Sequence, residues 1–195
     1  MPECAIGIAP DAGFAAVAAE LPRGLGLCMA LTGWRLRGAD ALTAGLATHL
    51  VASTSLPQLR HTMSEIDWGS VAAEEAFGVA LSALGVPPPP DAVEAVPQPS
   101  LQALLPAIAE AFGDVPRVTV ARARLEALSR GSESLEVRTW ADDRLQGLAR
   151  GCPLTQEVFL RLFREAQADL AWSPGGGLQA RCERLVRALR RDYAA

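Results

Sequence analysis

The stretch GLGLCMALTG, residues 24–33, has no charged side chain and has glycine at both ends. Its apolar residues predict a short buried helix that ends at Gly33, because glycine readily adopts the left-handed conformation found at helix C-termini. The stretch GADALTAG, residues 38–45, repeats this arrangement with Gly45 as its stop. We therefore expect two short packed helices in this part of the chain.

Residues 70–85 are predicted to form an amphipathic helix, and the chain beyond the proline-rich run, from residue 100, is predicted to be almost wholly helical. Ser70 and Ser100 are typical helix N-caps. The run VPPPPDAVEAVPQP, residues 86–99, predicts a connector without regular structure, since proline has no N–H to donate. Strand character is confined to residues 5–9 and 48–52, too little for a sheet that buries both faces. The predicted helices cover residues 70–85, 100–112, 117–130, 137–150, 154–170 and 178–193.

Composition and charge exclude several classes of function. The 195-residue chain is half hydrophobic, enough for a sizeable core, and its net charge of −4 gives no basic field for nucleic acid phosphates. No apolar run reaches the roughly 20 residues of a membrane span. The four cysteines are separated by 24, 124 and 30 residues, unlike the spacing of metal ligands. We therefore expect free thiols and no bound metal.

Upstream of the first helix, the chain opens MPECAIGIAPDAGFA, residues 1–15, in which Glu3 and Asp11 are the charged side chains. The glycine and proline residues of this stretch allow sharp turns, so both carboxylates can be directed at one pocket. Paired carboxylates in an apolar setting can divide the work of acid and base between them. The pair is therefore a candidate catalytic site.

Each candidate residue also has a structural interpretation. Glu3 can pair with an arginine, and Asp11 can cap a helix that begins near Phe14. Two further candidates, His49 as a base and Cys4 as a nucleophile, are better interpreted as structural residues. His49 lies in the strand-like stretch 48–52, where a packed or surface histidine is expected, and Cys4 has no histidine partner to activate it.

Four motifs occur within residues 1–49: Met-Pro-Glu, Pro-Asp-x-Gly, Leu-Thr-Gly-x-x-Leu-x-Gly-x-Asp and Ala-Gly-x-Ala-Thr-His. Together they resemble the crotonase (enoyl-CoA hydratase/isomerase) superfamily, and within it the 3-hydroxyisobutyryl-CoA hydrolase family. Residues 153–193 are similar to the later helices of that family. The motif residues are Met1, Pro2, Glu3, Pro10, Asp11, Gly13, Leu31, Thr32, Gly33, Leu36, Gly38, Asp40, Ala44, Gly45, Ala47, Thr48 and His49.

The resemblance implies that Glu3 and Asp11 flank the thioester of an acyl-CoA, as catalytic and substrate-binding residues. Glu3 is expected to act as nucleophile or general base, and Asp11 to position or activate water. In enoyl-CoA hydratases the corresponding turn has no acid at the position of Asp11, which favours the hydrolase. The turn departs from the family at Phe14, where a further glycine is usual. This bulky side chain is expected to narrow the acyl pocket or reshape the start of the helix.

The implied architecture is a mostly α fragment of an α/β crotonase fold, with little strand and without most of the spiral β-sheet. In the family, the CoA cleft and a glycine-rich loop with an oxyanion donor precede the Met-Pro-Glu segment. Residues 1–60 then form the late part of the crotonase core, 61–99 a helix and the proline-rich connector, and 100–195 a helical C-terminal region. We expect residues 5–9 and 25–31 to face the missing sheet and leave apolar surface exposed.

The expected function is an acyl-CoA thioesterase of valine breakdown that is incomplete and inactive alone. Its partners would be an acyl-CoA, once the missing half is supplied, and a second copy of the chain. No nucleic acid, membrane or cofactor is expected, coenzyme A being part of the substrate. The implied compartment is the mitochondrial matrix in a eukaryote or the cytoplasm in a bacterium. The alternatives are a non-catalytic remnant that packs or oligomerises, and an enoyl-CoA hydratase or isomerase.

Overall fold

The computed structural model describes residues 2–47, 49–67, 69, 76, 78–81 and 100–172, with side chains as far as Leu170. The chain forms two compact units, one of residues 1–36 and 98–195 and the other of residues 37–97. The helix predicted over 178–193, and most of the one over 70–85, lie outside the described residues. These two units are defined by contacts between residues. The domain boundaries predicted at residues 60 and 99 rest instead on the family resemblance and on composition, and they stay a prediction.

The described residues form helices and short 3₁₀ turns, and the mostly helical fold class predicted from the sequence is confirmed. The predicted pair of short helices falls in separate units. The described part of the chain contains no helix with both the length and the hydropathy of a membrane span. The elements are a 3₁₀ turn at Glu3–Ile6, α1 (Phe14–Glu20), α2 (Leu25–Thr32), α3 (Gly38–Thr43), a 3₁₀ turn at Ser53–Ser55, α4 (Leu56–Ser64), α5 (Leu101–Phe112), α6 (Val118–Gly131), α7 (Leu135–Arg150) and α8 (Pro153–Trp172).

Helix α2 lies at the centre of the first unit. All eight of its residues are buried, and α1, α5, α7, α8 and the 3₁₀ turn Glu3–Ile6 pack against it. The expectation that residues 25–31 are left exposed is therefore wrong, because helices from residues 101–172 cover them. The expectation holds at Ile6 and Ile8, which are 69% and 52% exposed.

The strand predicted at residues 5–9 is wrong, and the described residues contain no strand. Ala5 and Ile6 belong to the first 3₁₀ turn, and Gly7 reverses the chain with a φ of 81°. The Ile8 N–H then donates to the Glu3 carbonyl at 3.0 Å. The backbone of this segment is thus hydrogen-bonded locally, which is the alternative to a ladder when no neighbouring strand is present. Residues 49–52 also lack regular structure.

Serine caps set the starts of two long helices. The Ser100 hydroxyl accepts a hydrogen bond from the Ala103 N–H at 3.4 Å, as its position before α5 predicts. The Ser134 hydroxyl accepts one from the Val137 N–H at 3.3 Å. Helix α7 therefore begins two residues before the predicted boundary.

Two glycines allow neighbouring helices to approach α2 closely. A Cβ at Gly26 would overlap the Ala18 backbone of α1 and would lie 2.6 Å from the Ala18 Cβ. A Cβ at Gly147 of α7 would lie 3.0 Å from the Cβ of Thr32 at the end of α2. The contacts of α2 with α1 and α7 therefore depend on the absence of side chains at these positions.

Gln156 connects the ends of three helices inside the core. Its side chain is 2% exposed, and its amide nitrogen donates to the Leu31 carbonyl at 3.1 Å and the Leu148 carbonyl at 2.9 Å. These carbonyls belong to the last turns of α2 and α7, where helix carbonyls have no partner within their own helix. The side chain therefore satisfies two buried acceptors from the first turn of α8.

We predict that Gly26→Ala lowers the free energy of unfolding by about 1–3 kcal/mol, because the added methyl group forces α1 and α2 apart. Gly131→Ala is the matched control, since nothing lies within 4 Å of a Cβ at that helical position. The control should change stability by less than about 1 kcal/mol. Urea unfolding of both variants measures the difference, and equal midpoints would contradict the close approach at Gly26.

We also predict that Gln156→Leu destabilises the first unit by about 1–3 kcal/mol, because the buried Leu31 carbonyl loses its donor and the Leu148 carbonyl keeps only the Gly151 N–H. Gln167→Leu, at an exposed position on the same helix, should stay within about 0.5 kcal/mol of the parent. The midpoints of thermal or urea unfolding, followed by circular dichroism, provide the comparison. A Gln156→Leu protein as stable as the Gln167→Leu control would show that the bridge contributes nothing.

Candidate active site

Glu3 begins a short 3₁₀ turn, Glu3–Ile6, which we call the Glu3 turn. The Ala5 N–H donates to the Pro2 carbonyl at 2.9 Å, and the left-handed Gly7 ends the turn. A Cβ at Gly7 would meet no atom within 4 Å, so glycine is required there for its backbone conformation rather than for space. The turn packs against α2, which places Glu3 at the edge of the helical core.

A backbone hydrogen bond joins the Glu3 turn to the start of α8. The Cys152 N–H donates to the Cys4 carbonyl at 2.7 Å. The neighbouring Thr155 hydroxyl donates to the Cys152 carbonyl at 3.0 Å and its side chain also contacts the Cys4 sulfur. The position of Glu3 therefore depends on residues about 150 positions further along the chain.

The Glu3 carboxylate is only partly accessible. Its Oε2 atom is shielded from solvent and has no hydrogen-bond partner among the described residues. A buried carboxylate oxygen without a donor is costly, and such atoms are often found where a ligand or water completes the site. The arrangement suits a carboxylate that acts on a bound substrate or on water.

Asp11 occupies a tight turn between the Glu3 turn and α1. Ala12 and Gly13 both have positive φ angles, 54° and 75°, and the Phe14 N–H donates to the Asp11 carbonyl at 3.0 Å. Positive φ in an alanine costs energy, and such strain is often retained at functional turns. The turn leaves the Asp11 side chain exposed, while the preceding Pro10 is buried.

Neither structural interpretation of the two acids is seen among the described residues. Glu3 makes no ion pair with an arginine, and the start of α1 has no side-chain cap, so Asp11 does not cap it. The acids also make no direct hydrogen bond to each other. Both belong to one folded segment, residues 3–13, and the roles assigned to them stay predictions.

Phe14 points into the core rather than standing free beside Asp11. Its ring stacks on Phe159 of α8, with 6.0 Å between ring centroids and an interplanar angle of 29°. Phe159 is fully buried and in turn stacks on Phe163. The departure from the family glycine at this position is therefore accommodated by an aromatic contact with α8.

The two cysteines near Glu3 have opposite electrostatic environments. Burial raises the pKa of the Cys4 thiol above its ordinary value, and the nearby Glu3 charge raises it further. Hydrogen bonds from the Thr155 and Leu154 backbone at the start of α8 lower the pKa of the partly exposed Cys152 thiol. The sequence interpretation did not connect Cys152 or Thr155 with this site. The one local sequence signal that indicates a thiol of lowered pKa here is the position of Cys152 directly before a long helix.

A second group of interacting side chains in the first unit consists of Arg144, Trp34, Trp140 and Cys28. The Arg144 guanidinium lies 5.2 Å from the centroid of the Trp34 ring, which packs edge-on against Trp140. Burial lowers the pKa of Arg144, and burial raises the pKa of Cys28 to about 12. The cation-aromatic contact and the buried thiol beside Arg144 are best interpreted as a structural arrangement.

The described residues include no cluster of three or more His, Cys, Asp and Glu side chains able to hold a metal ion. His49 and His61 both lie in the second unit and both are exposed. His61 is in the last turn of α4, where its carbonyl accepts a hydrogen bond from the Ser64 hydroxyl.

Comparison with known proteins gives one family and a consistent set of relatives. A sequence model of the enoyl-CoA hydratase/isomerase family matches residues 1–173. 3-Hydroxyisobutyryl-CoA hydrolase 1 of Arabidopsis thaliana is 32% identical over 170 residues, which are 86% of this chain and 40% of that protein. The mitochondrial 3-hydroxyisobutyryl-CoA hydrolases of Xenopus tropicalis and Homo sapiens are 49% and 46% identical over 63 residues, which are 32% of this chain and 16% of each relative.

The chain thus spans at most 40% of the length of these relatives. The family match nevertheless covers most of the chain and includes both the acidic segment 3–13 and the helices α5, α7 and α8 that pack against α2. The resemblance noted in the first 51 residues therefore extends through the helical core. The chain belongs to the enoyl-CoA hydratase/isomerase family, the crotonase superfamily.

Proposed function

We propose that this chain supplies the acidic part of an active site that hydrolyses 3-hydroxyisobutyryl-CoA or a similar short hydroxyacyl-CoA. The observation that carries the proposal is the Glu3 carboxylate, whose shielded and unpartnered Oε2 lies eight residues before Asp11. Relatives named 3-hydroxyisobutyryl-CoA hydrolase support this class of substrate. The products would be the free hydroxy acid and coenzyme A.

In the proposed reaction, water replaces the thiolate of coenzyme A on the acyl carbon. Acting as general base, Glu3 takes a proton from the attacking water; acting as nucleophile, it first forms an acyl intermediate that water then cleaves. Asp11 positions or activates the water in either route. The negative charge on the acyl oxygen needs N–H donors, which the resemblance assigns to the glycine-rich loop that precedes the Met-Pro-Glu segment in the family.

We further propose that catalysis requires more of the fold than this chain contains. The chain spans at most 40% of the relatives it matches, and the apolar Ile6 and Ile8 beside Glu3 are exposed. The same observations support the alternative of a non-catalytic packing or oligomerisation module. The compartment proposed from the names of the animal relatives is the mitochondrial matrix in a eukaryote, and a place in valine breakdown follows from the substrate.

We predict that Glu3→Gln and Asp11→Asn each reduce thioester hydrolysis by about 10²-fold or more, because each removes a carboxylate that acts on water or on the acyl carbon. The assay measures thiol release from 3-hydroxyisobutyryl-CoA by the chain joined to the preceding part of the Arabidopsis relative. Glu133→Gln is the matched control, since this glutamate is exposed and distant in sequence from the acidic segment. It should retain the parent rate.

Each other result of this assay has a defined meaning. Full activity in Glu3→Gln or Asp11→Asn would contradict the catalytic assignment. Hydration of crotonyl-CoA without thiol release would favour the hydratase alternative. A joined protein that folds but converts neither substrate would favour the packing module, and turnover by the chain alone that is abolished in Glu3→Gln would show that no further part of the fold is needed.

A further inference from the structure

The Glu3 turn and the start of α8 bring together two thiols that are 148 positions apart in sequence. The Cys152 N–H donates to the Cys4 carbonyl at 2.7 Å. With standard backbone bond lengths, this hydrogen bond limits the separation of the two Cα atoms to at most about 7 Å. Cysteines in disulfides usually have their Cα atoms roughly 4.4–6.8 Å apart. The Cα separation is therefore compatible with a disulfide, the two thiols are close enough to interact electrostatically, and both are free.

The two sulfur atoms differ in solvent exposure and in the groups that surround them. Cys152 is partly exposed, and the N–H groups of Leu154 and Thr155 stabilise its thiolate. Cys4 is 2% exposed, and burial keeps its thiol protonated. The lowered pKa and the accessibility of Cys152 favour its reaction with an oxidant, whereas Cys4 is shielded from one.

We propose that Cys4 and Cys152 form a reversible oxidation site, at which a hydroperoxide reacts with Cys152 and Cys4 then closes an intramolecular disulfide. The chemical class of the substrate is a small peroxide, with hydrogen peroxide as the simplest example. The proposal does not rest on the proposed thioesterase activity, and its test uses no acyl-CoA.

The reaction has two balanced steps. The Cys152 thiolate attacks one oxygen of hydrogen peroxide, so that an S–O bond forms, the O–O bond breaks and hydroxide leaves. The sulfur loses two electrons to the peroxide and becomes a sulfenic acid. The Cys4 sulfur then attacks the Cys152 sulfur, the S–S bond forms, and the hydroxyl leaves with the Cys4 proton as water. A small dithiol reverses the product by thiol-disulfide exchange, becoming a disulfide itself.

Cys28 provides an internal comparison within the same unit. It is fully buried on α2, and burial raises its pKa to about 12. A peroxide therefore cannot reach the Cys28 sulfur, and the thiol stays protonated at neutral pH. We therefore expect Cys28 to stay reduced under conditions that oxidise Cys152.

The experiment treats the reduced full chain with hydrogen peroxide, blocks remaining thiols with a maleimide, and identifies tryptic peptides by mass spectrometry. All 18 basic residues are arginine, so trypsin places Cys4 in peptide 1–23, Cys28 in 24–35, Cys152 in 151–161 and Cys182 in 182–184. The expected product is peptide 1–23 joined to 151–161, about 2 Da lighter than the two reduced peptides together. In guanidinium chloride this product should fall by about 10²-fold or more, because the fold no longer holds the sulfurs together.

Single variants separate the two roles. Cys152→Ser should abolish oxidation at this site. Cys4→Ala should leave Cys152 as a sulfenic acid that a cyclic 1,3-diketone traps. Cys182→Ser, which removes a cysteine outside the described residues, is the matched control and should form the product as the parent does. If Cys4→Ala fails to fold, the peptide map of the parent chain still decides the question.

Three results would overturn the proposal. The first is a dominant disulfide between Cys152 and Cys182 or between two chains. The second is conversion of Cys152 to sulfinic or sulfonic acid while Cys4 remains available to the maleimide after unfolding. The third is equal formation of the joined peptides in the folded and the denatured chain.

Discussion

Helix α2 has no polar face, and this one constraint determines the arrangement of the first unit. A helix that is apolar on all sides must be covered on all sides. Here α1, α5, α7, α8 and the Glu3 turn supply that cover. The cover is close because Gly26 and Gly147 carry no side chains where α1 and α7 pack against it. Its C-terminal end remains polar, and the Gln156 amide donates to the Leu31 carbonyl that would otherwise be buried without a partner.

The burial of α2 makes residues 100–172 part of the candidate site rather than an appendage to it. These helices complete the core on which the Glu3 turn rests, and Cys152 holds that turn directly through its N–H. Phe14, directly after the Asp11 turn, is likewise anchored on Phe159 of α8. Both ends of the acidic segment 3–13 are therefore fixed by the same distant helix.

Helices α2, α5, α6, α7 and α8 were predicted because their signals are local, whereas α4 was not predicted. Ser100 and the glycines after α2 define element ends through contacts within a few residues, and the apolar stretch at residues 24–33 is sufficient to indicate a buried helix. It did not predict what buries that helix, because packing partners 70 to 140 residues away leave no local signal. The prediction of a strand at residues 5–9 is wrong for a related reason. A strand needs a neighbouring strand to pair with, and the left-handed Gly7 lets this segment form local hydrogen bonds instead. The proximity of Cys4 and Cys152 was equally inaccessible, since it exists only in the folded chain.

The two acids of the segment 3–13 are placed in contrasting surroundings by a single change of backbone direction. Glu3 sits against α2 with one oxygen shielded, while the turn at Asp11, Ala12 and Gly13 directs the Asp11 side chain outward. Enzymes that use two carboxylates depend on such a difference, because identical environments would give both groups the same protonation and the same role. The positive φ of Ala12 shows that the fold accepts backbone strain to keep this turn. The asymmetry of the pair is therefore built into the backbone of residues 3–13.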